Sequence, residues 1–407
     1  MPAPELPPPL RLPQFESEAG EVHDDLLDFA RSRPLDPVGL AELIAFGYRR
    51  GARTLLEGVR CRVTHWQLQA PEVHPRELSF DERADRLWEL LREAVRSASV
   101  GSLRPRTTLS GGLDSRAIAA AAASVDGSRF SAGTFGDEDC VDLPVAAELA
   151  SRLGLRHEVS VLPLDAALDS EGRVWRASFG YGGPASAPGA ATDSLWSAQC
   201  DVLLSGTSGD VIWGDTALAG PSPSSRLARL GLSTGRLDGP LITPPPPVWA
   251  SKPGALAWAN LWSRQKGATW DGVRSRLSFT PVVPIPWDPH LLSFCLGLES
   301  KDRRGRALLC HMLKRHAPVI SAQELAPVHG PVHDLDRAWR TSAAWAEELH
   351  RWVRSEQEPV WRMLGVKRSV AARMVSQVRS GKRKRASFLS RLRAAWRWAE
   401  RSQGQVA

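Results

Sequence analysis

The stretch that most constrains this chain is Ser110-Gly111-Gly112-Leu113-Asp114-Ser115, set between Thr107-Thr108-Leu109 and an alanine-rich run that ends near Val125. Alanine is the strongest helix former, so residues 116–125 predict a helix, and Thr107-Thr108-Leu109 predicts a short strand leading toward it. Two adjacent glycines between strand and helix let the backbone turn sharply and bring its N–H groups close to a ligand. The helix then directs its open N–H groups and partial positive charge at the same place. With the hydroxyls of Ser110 and Ser115, the loop is a cradle for an anion of pyrophosphate size. Asp114 would repel such an anion unless a cation stood between them. Magnesium suits that place, because it binds through one or two carboxylates plus phosphate oxygens. The Gly-x-x-x-x-Gly-Lys spacing of the other common phosphate loop is absent.

The surrounding pattern alternates strand and helix. Residues 80–97 carry Leu87, Leu90, Leu91, Ala94 and Val95 at helical spacing. Residues 129–135 read as a strand, 142–153 as a helix stopped by Gly154, 157–162 as a strand and 201–204 as a fourth. Short connections between such elements predict an α/β fold, a parallel sheet with helices on both faces. A helical pattern with a strand-like alternation after it, 37–44 then 61–68, precedes this region. Beyond Trp249 the pattern is helical almost to the end, so the C-terminal part is expected to be helical. The domain reading is a proline-rich disordered tail over 1–22, a small segment over 23–78, the nucleotide-binding unit over 79–325 and a basic helical region over 326–407. Residues 179–184 and the breaker-rich 222–247 are expected to be loops.

Composition excludes several classes. The chain has 407 residues, 43% hydrophobic and 24% charged, which fits a globular protein. No run of eighteen apolar residues occurs, so no membrane partner is expected. The N-terminus lacks the apolar core of a secretory signal. Five scattered cysteines form no Cys-x-x-Cys pair, which points to reduced thiols and a cytoplasmic location rather than disulfides or structural zinc. The net charge of +7 is unevenly placed: between Arg351 and Arg401 stand 15 Lys plus Arg against 3 Asp plus Glu. That basic region reads first as a solvated helical face. Lys382-Arg383-Lys384-Arg385 has no interleaved aromatics, so nucleic acid is not the expected partner. The sixteen tryptophans against two tyrosines have no explanation at this level.

With these motifs in hand, a resemblance becomes specific. Ser110 to Ser115 resembles the pyrophosphate loop of the ATP-pyrophosphatase superfamily (adenine nucleotide alpha-hydrolase-like), and its neighbours narrow this to the synthetase domain of the asparagine synthetase family. Thr134-Phe135-Gly136 stands where that family's second strand meets adenine. Asp142 to Ala150, then Leu153-Gly154 and His157, resembles the helix and histidine that follow. Leu204-Ser205-Gly206-Thr207-Ser208-Gly209-Asp210-Val211-Ile212-Trp213-Gly214 resembles the second signature, a strand-end loop with another metal-binding aspartate. Pro284-Ile285-Pro286-Trp287-Asp288 is loosely similar to a later block. The resemblance implies ATP and magnesium: Asp114 and Asp210 would hold the metal. Ser110, Gly112 and Ser115, within a loop that includes Gly111 and Leu113, would cradle the pyrophosphate. Thr108, Thr134 and Gly206 would contact adenosine.

The departures bear on the reaction. A glutamate is usual in the family where Thr207 stands, and an acidic residue where Val211 stands. Threonine donates a hydrogen bond but takes no proton at neutral pH. The family lysine beside the acyl-adenylate has no assigned counterpart among Lys301, Lys314, Lys367, Lys382 and Lys384. Position 2 is Pro2, where full-length members carry the glutaminase cysteine, and residues 46–59 resemble the end of that domain, so glutamine hydrolysis is not expected. The resemblance implies an ATP- and magnesium-dependent ligase that adenylates a small-molecule or peptide carboxylate and passes it to ammonia or a substrate amine. In the family this covers asparagine formation, β-lactam closure and lasso-peptide macrolactam closure. With no glutaminase and with Thr207 present, a substrate bearing its own amine fits best, with the basic tail holding an acidic precursor peptide. The alternative is a degenerate ATP-binding member acting as a regulatory or partner-protein subunit.

Overall fold

The computed structural model describes residues 14–47, 52–62, 71–163, 165–182, 198–214, 281–321, 335–354, 367–381 and 386–402, with a few isolated positions between them. Strands β1 (Phe15–Ser17), β2 (Val22–His23) and β3 (Val59–Cys61) form a small antiparallel sheet in the order β2-β1-β3. Helix α1 (Pro37–Phe46) lies between β2 and β3 in sequence, started by Asp36, whose carboxylate accepts from the N–H groups of Val38 and Gly39. The stretch whose prolines suggested a disordered tail therefore contains strand β1 and the start of β2. The reason is Phe15, which is fully buried and packs edge-on against Phe179.

The main sheet has five strands: β4 (Pro105–Thr108), β5 (Ser131–Gly136), β6 (Arg156–Val161), β7 (Val202–Ser205) and β8 (Val282–Pro284). Their order is β6-β5-β4-β7-β8, and every pairing is parallel. The chain runs outward from β4 to β6, then returns to the other side of β4 for β7 and β8. That reversal makes the β4/β7 boundary the switch point, where open α/β sheets bind ligands outside their carboxyl ends. The helices among these strands are α2 (Phe80–Ala98), α3 (Leu113–Asp126), α4 (Asp142–Leu153), α5 (Ala166–Ala177) and the single turn α6 (Gly209–Ile212). The α/β reading is thus realised, with β8 interrupting a stretch read as wholly helical. α2 begins in a full capping box, Ser79 with Glu82. α4 ends at Gly154 in the left-handed conformation, φ 66°. The strand read over 61–68 is confined to β3 among the described residues, and the loop read over 222–247 lies outside them.

Helices α7 (Pro289–Leu296), α8 (Ser300–Arg303) and α9 (Ala307–His316) close the sheet unit. Among the described residues four more follow: α10 (Leu335–Thr341), α11 (Ala343–Arg354), α12 (Arg368–Arg379) and α13 (Ala386–Ser402). Buried apolar side chains fall into two clusters. One joins the five-stranded sheet to its helices, from Ala84 to Ile320. The other joins residues 15–61, the end of α5 and helices α10 to α13. The first and last parts of the described chain thus share one core. Trp175, Trp339, Trp345, Trp352 and Trp398 are buried in it, with Trp339 against Trp345 and Trp175 against Trp398. Large rings let short helices without a sheet bury enough apolar area, which accounts for part of the tryptophan excess. No helix among the described residues is long and apolar enough to cross a membrane. The cysteines are free, and burial pushes the Cys295 thiol up to about 12, so it is no nucleophile near neutral pH.

Candidate active site

The Ser110 to Ser115 loop leaves the carboxyl end of β4 and turns into α3, which begins at Leu113 rather than at Arg116. Leu113, Asp114 and Ser115 are therefore the first helical turn, and no side chain caps it. Such a turn presents backbone donors and partial positive charge to whatever lies in front of it. The loop is fixed by its own hydroxyls. Ser110 N–H donates to Ser115 Oγ at 3.0 Å, the two hydroxyl oxygens are 2.9 Å apart, and Gly112 N–H donates to Ser110 Oγ at 3.2 Å. Gly111 is gripped from both sides: its N–H donates to Asp142 Oδ1 at 2.8 Å, and its carbonyl accepts from Arg116 Nη2 at 2.9 Å. Sequence reading placed Asp142 on a helix and Arg116 at the start of one, without seeing that both brace this loop.

The second signature leaves β7, the neighbour of β4. Thr107 pairs with Leu204 in register, so both loops start at the same level. Gly206 and Gly209 let them touch. A Cβ on Gly206 would stand 3.2 Å from Asp114 Cβ, and one on Gly209 only 2.9 Å from Asp114 Cγ. Ser208 between them takes φ 72°. The sequence motif thereby brings the Asp114 carboxylate against the turn that carries Asp210. Thr207 Oγ1 lies 2.6 Å from Ser205 Oγ, and the Thr207 N–H points to the same oxygen. Its hydroxyl is tied to its own strand end.

Two further groups reach Asp114. Trp213, 1% exposed, donates its indole N–H to Asp114 Oδ1 at 2.6 Å. Arg306 Nη1 donates to the same oxygen at 3.1 Å. Arg306 sits just before α9 in the left-handed region, φ 58°, directly after Gly305 at φ 59°. Two successive left-handed residues reverse the chain and send the guanidinium into the site. Arg303, one short turn earlier, is buried and clasps the second loop: its Nη1 donates to the carbonyls of Val211 at 3.1 Å and Ile212 at 2.7 Å. Burial holds its guanidinium below the ordinary arginine range, with Cys295 and Asp302 opposing. Asp302 in turn takes Arg83 through both oxygens, at 2.8 and 3.0 Å. The α8 segment is therefore a positioned buckle over the loop, and Arg306 is its tip.

The remaining residues singled out from sequence divide. Thr108 is partly exposed at the end of β4, its hydroxyl donating weakly to Leu204 O at 3.4 Å. Thr134 is 2% exposed, and its hydroxyl donates to Leu109 O at 2.7 Å. It then accepts from His157 Nε2 at 2.8 Å, which assigns the proton to that nitrogen. Burial holds the His157 pKa below the ordinary value. Lys301 pairs with Glu299 at the surface, Lys314 and Lys367 are exposed, and Lys382 and Lys384 lie outside the described residues. Asp288 caps α7 by accepting from His290 and Leu291, so the Pro284 to Asp288 block shapes the sheet edge. No group of three or more His, Cys, Asp or Glu side chains gathers for a metal among the described residues. Arg306 left no signal in the sequence, because only its backbone reversal aims it at a residue 192 positions away.

What the two loops can do is hold a polyanion between backbone donors, hydroxyls and a guanidinium, with carboxylates to bind a cation. Among curated proteins none matches the chain. The family model for asparagine synthase matches residues 86–276. That span contains both loops and four of the five parallel strands and stops before Arg303 and Arg306. Residues 86–276 are accordingly similar to the asparagine synthase family, whose members are ATP-dependent, amide-forming carbon–nitrogen ligases acting on a carboxylate and an amine or ammonia.

Proposed function

We propose that the chain adenylates a carboxylate with ATP, releases pyrophosphate, and passes the acyl group to an amine that the substrate itself carries, as in closure of a ring on a peptide or another specialised product. The observation that carries this reading is the meeting of Asp114 with the Gly206 to Gly209 turn at the switch point of the sheet. Asp114 and Asp210 would hold magnesium. Among the described residues no group of three or more metal-binding side chains gathers, and two carboxylates suit magnesium together with phosphate oxygens. Once bound there, the metal would neutralise charge on the departing pyrophosphate.

The chain's own residues do the rest. Ser110 and Ser115 orient the phosphates by hydroxyl contacts, and the first turn of α3 adds backbone donors. Arg306 contributes a fixed cation at the phosphates, the place that a lysine would otherwise take. Thr207 orients but accepts no proton, so the amine must lose its proton to a group of the substrate or to water. Incubation with ATP, magnesium and a panel of carboxylates, amino-acid and peptidic, tests this by pyrophosphate release. Release with at least one, lost on Asp114→Asn and Asp210→Asn, supports it. ATP binding without release for any of them sinks it. That outcome favours the second reading, a non-turning-over ATP binder serving a partner protein, which Thr207 and the Arg306 contact on Asp114 also suit.

A further inference from the structure

The positive charge between Arg351 and Arg401 serves two ends. Part of it fastens helices together. Arg393 donates to both oxygens of buried Glu171 on α5, at 2.5 and 2.7 Å, and to Glu348 on α11 at 2.6 Å. Arg397 donates to Glu171 at 2.9 Å, and Arg351 pairs with Glu347 and Glu348. A second part lies along one groove. Arg354, Arg368 and Arg379 have no ion pair among the described residues, and all three line a cavity of about 940 Å³ between α11 and α12.

Helical geometry explains the convergence. His350, Val353 and Arg354 lie one turn apart on α11, while Arg368, Val375 and Arg379 fall at i, i+7 and i+11 on one face of α12. The half-buried Val353 and the buried Val375 give the groove an apolar floor. Among the described residues no aspartate or glutamate lines it, and its one aromatic ring is the His350 imidazole. Arginine forks match carboxylates in two-point contacts, and an apolar floor between two helices is the usual seat of an amphipathic segment. Single-stranded nucleic acid is held on aromatic faces on which successive bases stack, and among the described residues this groove offers only the single His350 ring.

We propose that the groove between α11 and α12 binds an acidic, amphipathic peptide segment, its carboxylates on Arg354, Arg368 and Arg379 and its apolar side chains on Val353 and Val375. This binding stands independently of the chemistry at Asp114. The test uses the full chain and a fluorescein-labelled peptide with glutamates on one helical face and leucines on the other, followed by fluorescence anisotropy. The native chain should bind it, more weakly as salt rises. The combined Arg354→Gln, Arg368→Gln, Arg379→Gln variant should bind about tenfold or more weakly, since surface pairs are individually modest but additive when separated. ATP binding and helical content should stay unchanged, which separates a lost groove from a lost fold. The proposal is overturned if the native chain ignores the peptide, or if the triple variant binds equally well. Tighter competition by a short oligonucleotide than by unlabelled peptide overturns it as well. So does peptide binding that appears only after Glu356→Gln and Glu358→Gln, because the chain's own acidic segment would then be the occupant.

Discussion

At the scale of single residues, Arg306 makes the sharpest demand. A left-handed backbone costs a residue with a Cβ about 1–2 kcal/mol, and such strain persists where surrounding structure and function hold it. Replacing it by glycine relieves the strain but removes the guanidinium from Asp114. Because that pair is about one-fifth exposed on each side, its loss costs little stability, about 0–1 kcal/mol after solvent screening. Arg306→Gly should therefore melt within a few degrees of the native chain, yet release pyrophosphate about 100-fold more slowly, the usual effect of removing one preorganised charge. Thermal melts and a pyrophosphate assay on the same preparation check both halves; an equally active glycine variant would remove Arg306 from the chemistry. Gly209 makes the opposite case. A methyl there would stand 2.7 Å from the Trp213 ring and 2.9 Å from Asp114 Cγ, neither of which can yield easily. Gly209→Ala should cost about 1–3 kcal/mol and separate the two loops, read as a lower melting temperature and weaker ATP binding. The turn from β4 through Ser110 to Ser115 into α3 was legible in the sequence because its residues are consecutive and its glycines and alanines act locally. Arg306 was not, since nothing in Gly305-Arg306 announces a two-residue left-handed reversal.

At the scale of elements, the loop before α3 is held by its neighbours. Thr134 of β5 and His157 of β6 form a chain that ends on the Leu109 carbonyl, at the root of the loop. The imidazole is kept neutral by burial, so its folded pKa lies below the ordinary 6.5 or so. The unfolded chain then binds more protons over that interval. The resulting stability is complete above about pH 6.5 and is lost as pH falls toward the folded value. Melting temperature should accordingly drop on acidification from neutral pH, and less so in His157→Gln, whose amide can donate the same bond; parallel slopes in the two proteins would contradict this. Element type was readable wherever periodicity was strong, as in α2, α4 and β5. Strand β8 was missed because Val282-Val283-Pro284 is short and followed by a proline-containing turn, and its identity depends on pairing with β7. The basic tail looked like a solvated face because charge alone does not show that Glu171, more than two hundred residues upstream, lies beneath Arg393.

At the scale of the whole molecule, α5 follows β6 in sequence yet packs in the second core. Its residues Val174 and Trp175 belong to the second core, and Glu171 joins it to Arg393 and Arg397 of α13, of which Arg393 also pairs with Glu348 of α11. Removing the acid leaves Arg393, 5% exposed, buried beside only one remaining carboxylate. Glu171→Gln should cost about 3–5 kcal/mol, the usual penalty for breaking a buried pair. The loss should fall on the second core first. Hydrogen exchange should then show α11 and α13 opening ahead of the sheet, whereas uniform acceleration would mean that the cores unfold as one unit. The sharing of that core between residues 15–61 and 335–399 also sets an order of events during synthesis. Phe15, Leu43 and Ile44 emerge from the ribosome long before the helices that cover them. Until α13 follows, the earliest apolar side chains must wait exposed or be held by a chaperone, while the sheet between them is free to fold. A nascent chain arrested after Ile320 should therefore present a formed nucleotide site beside a sticky, unfinished N-terminal segment.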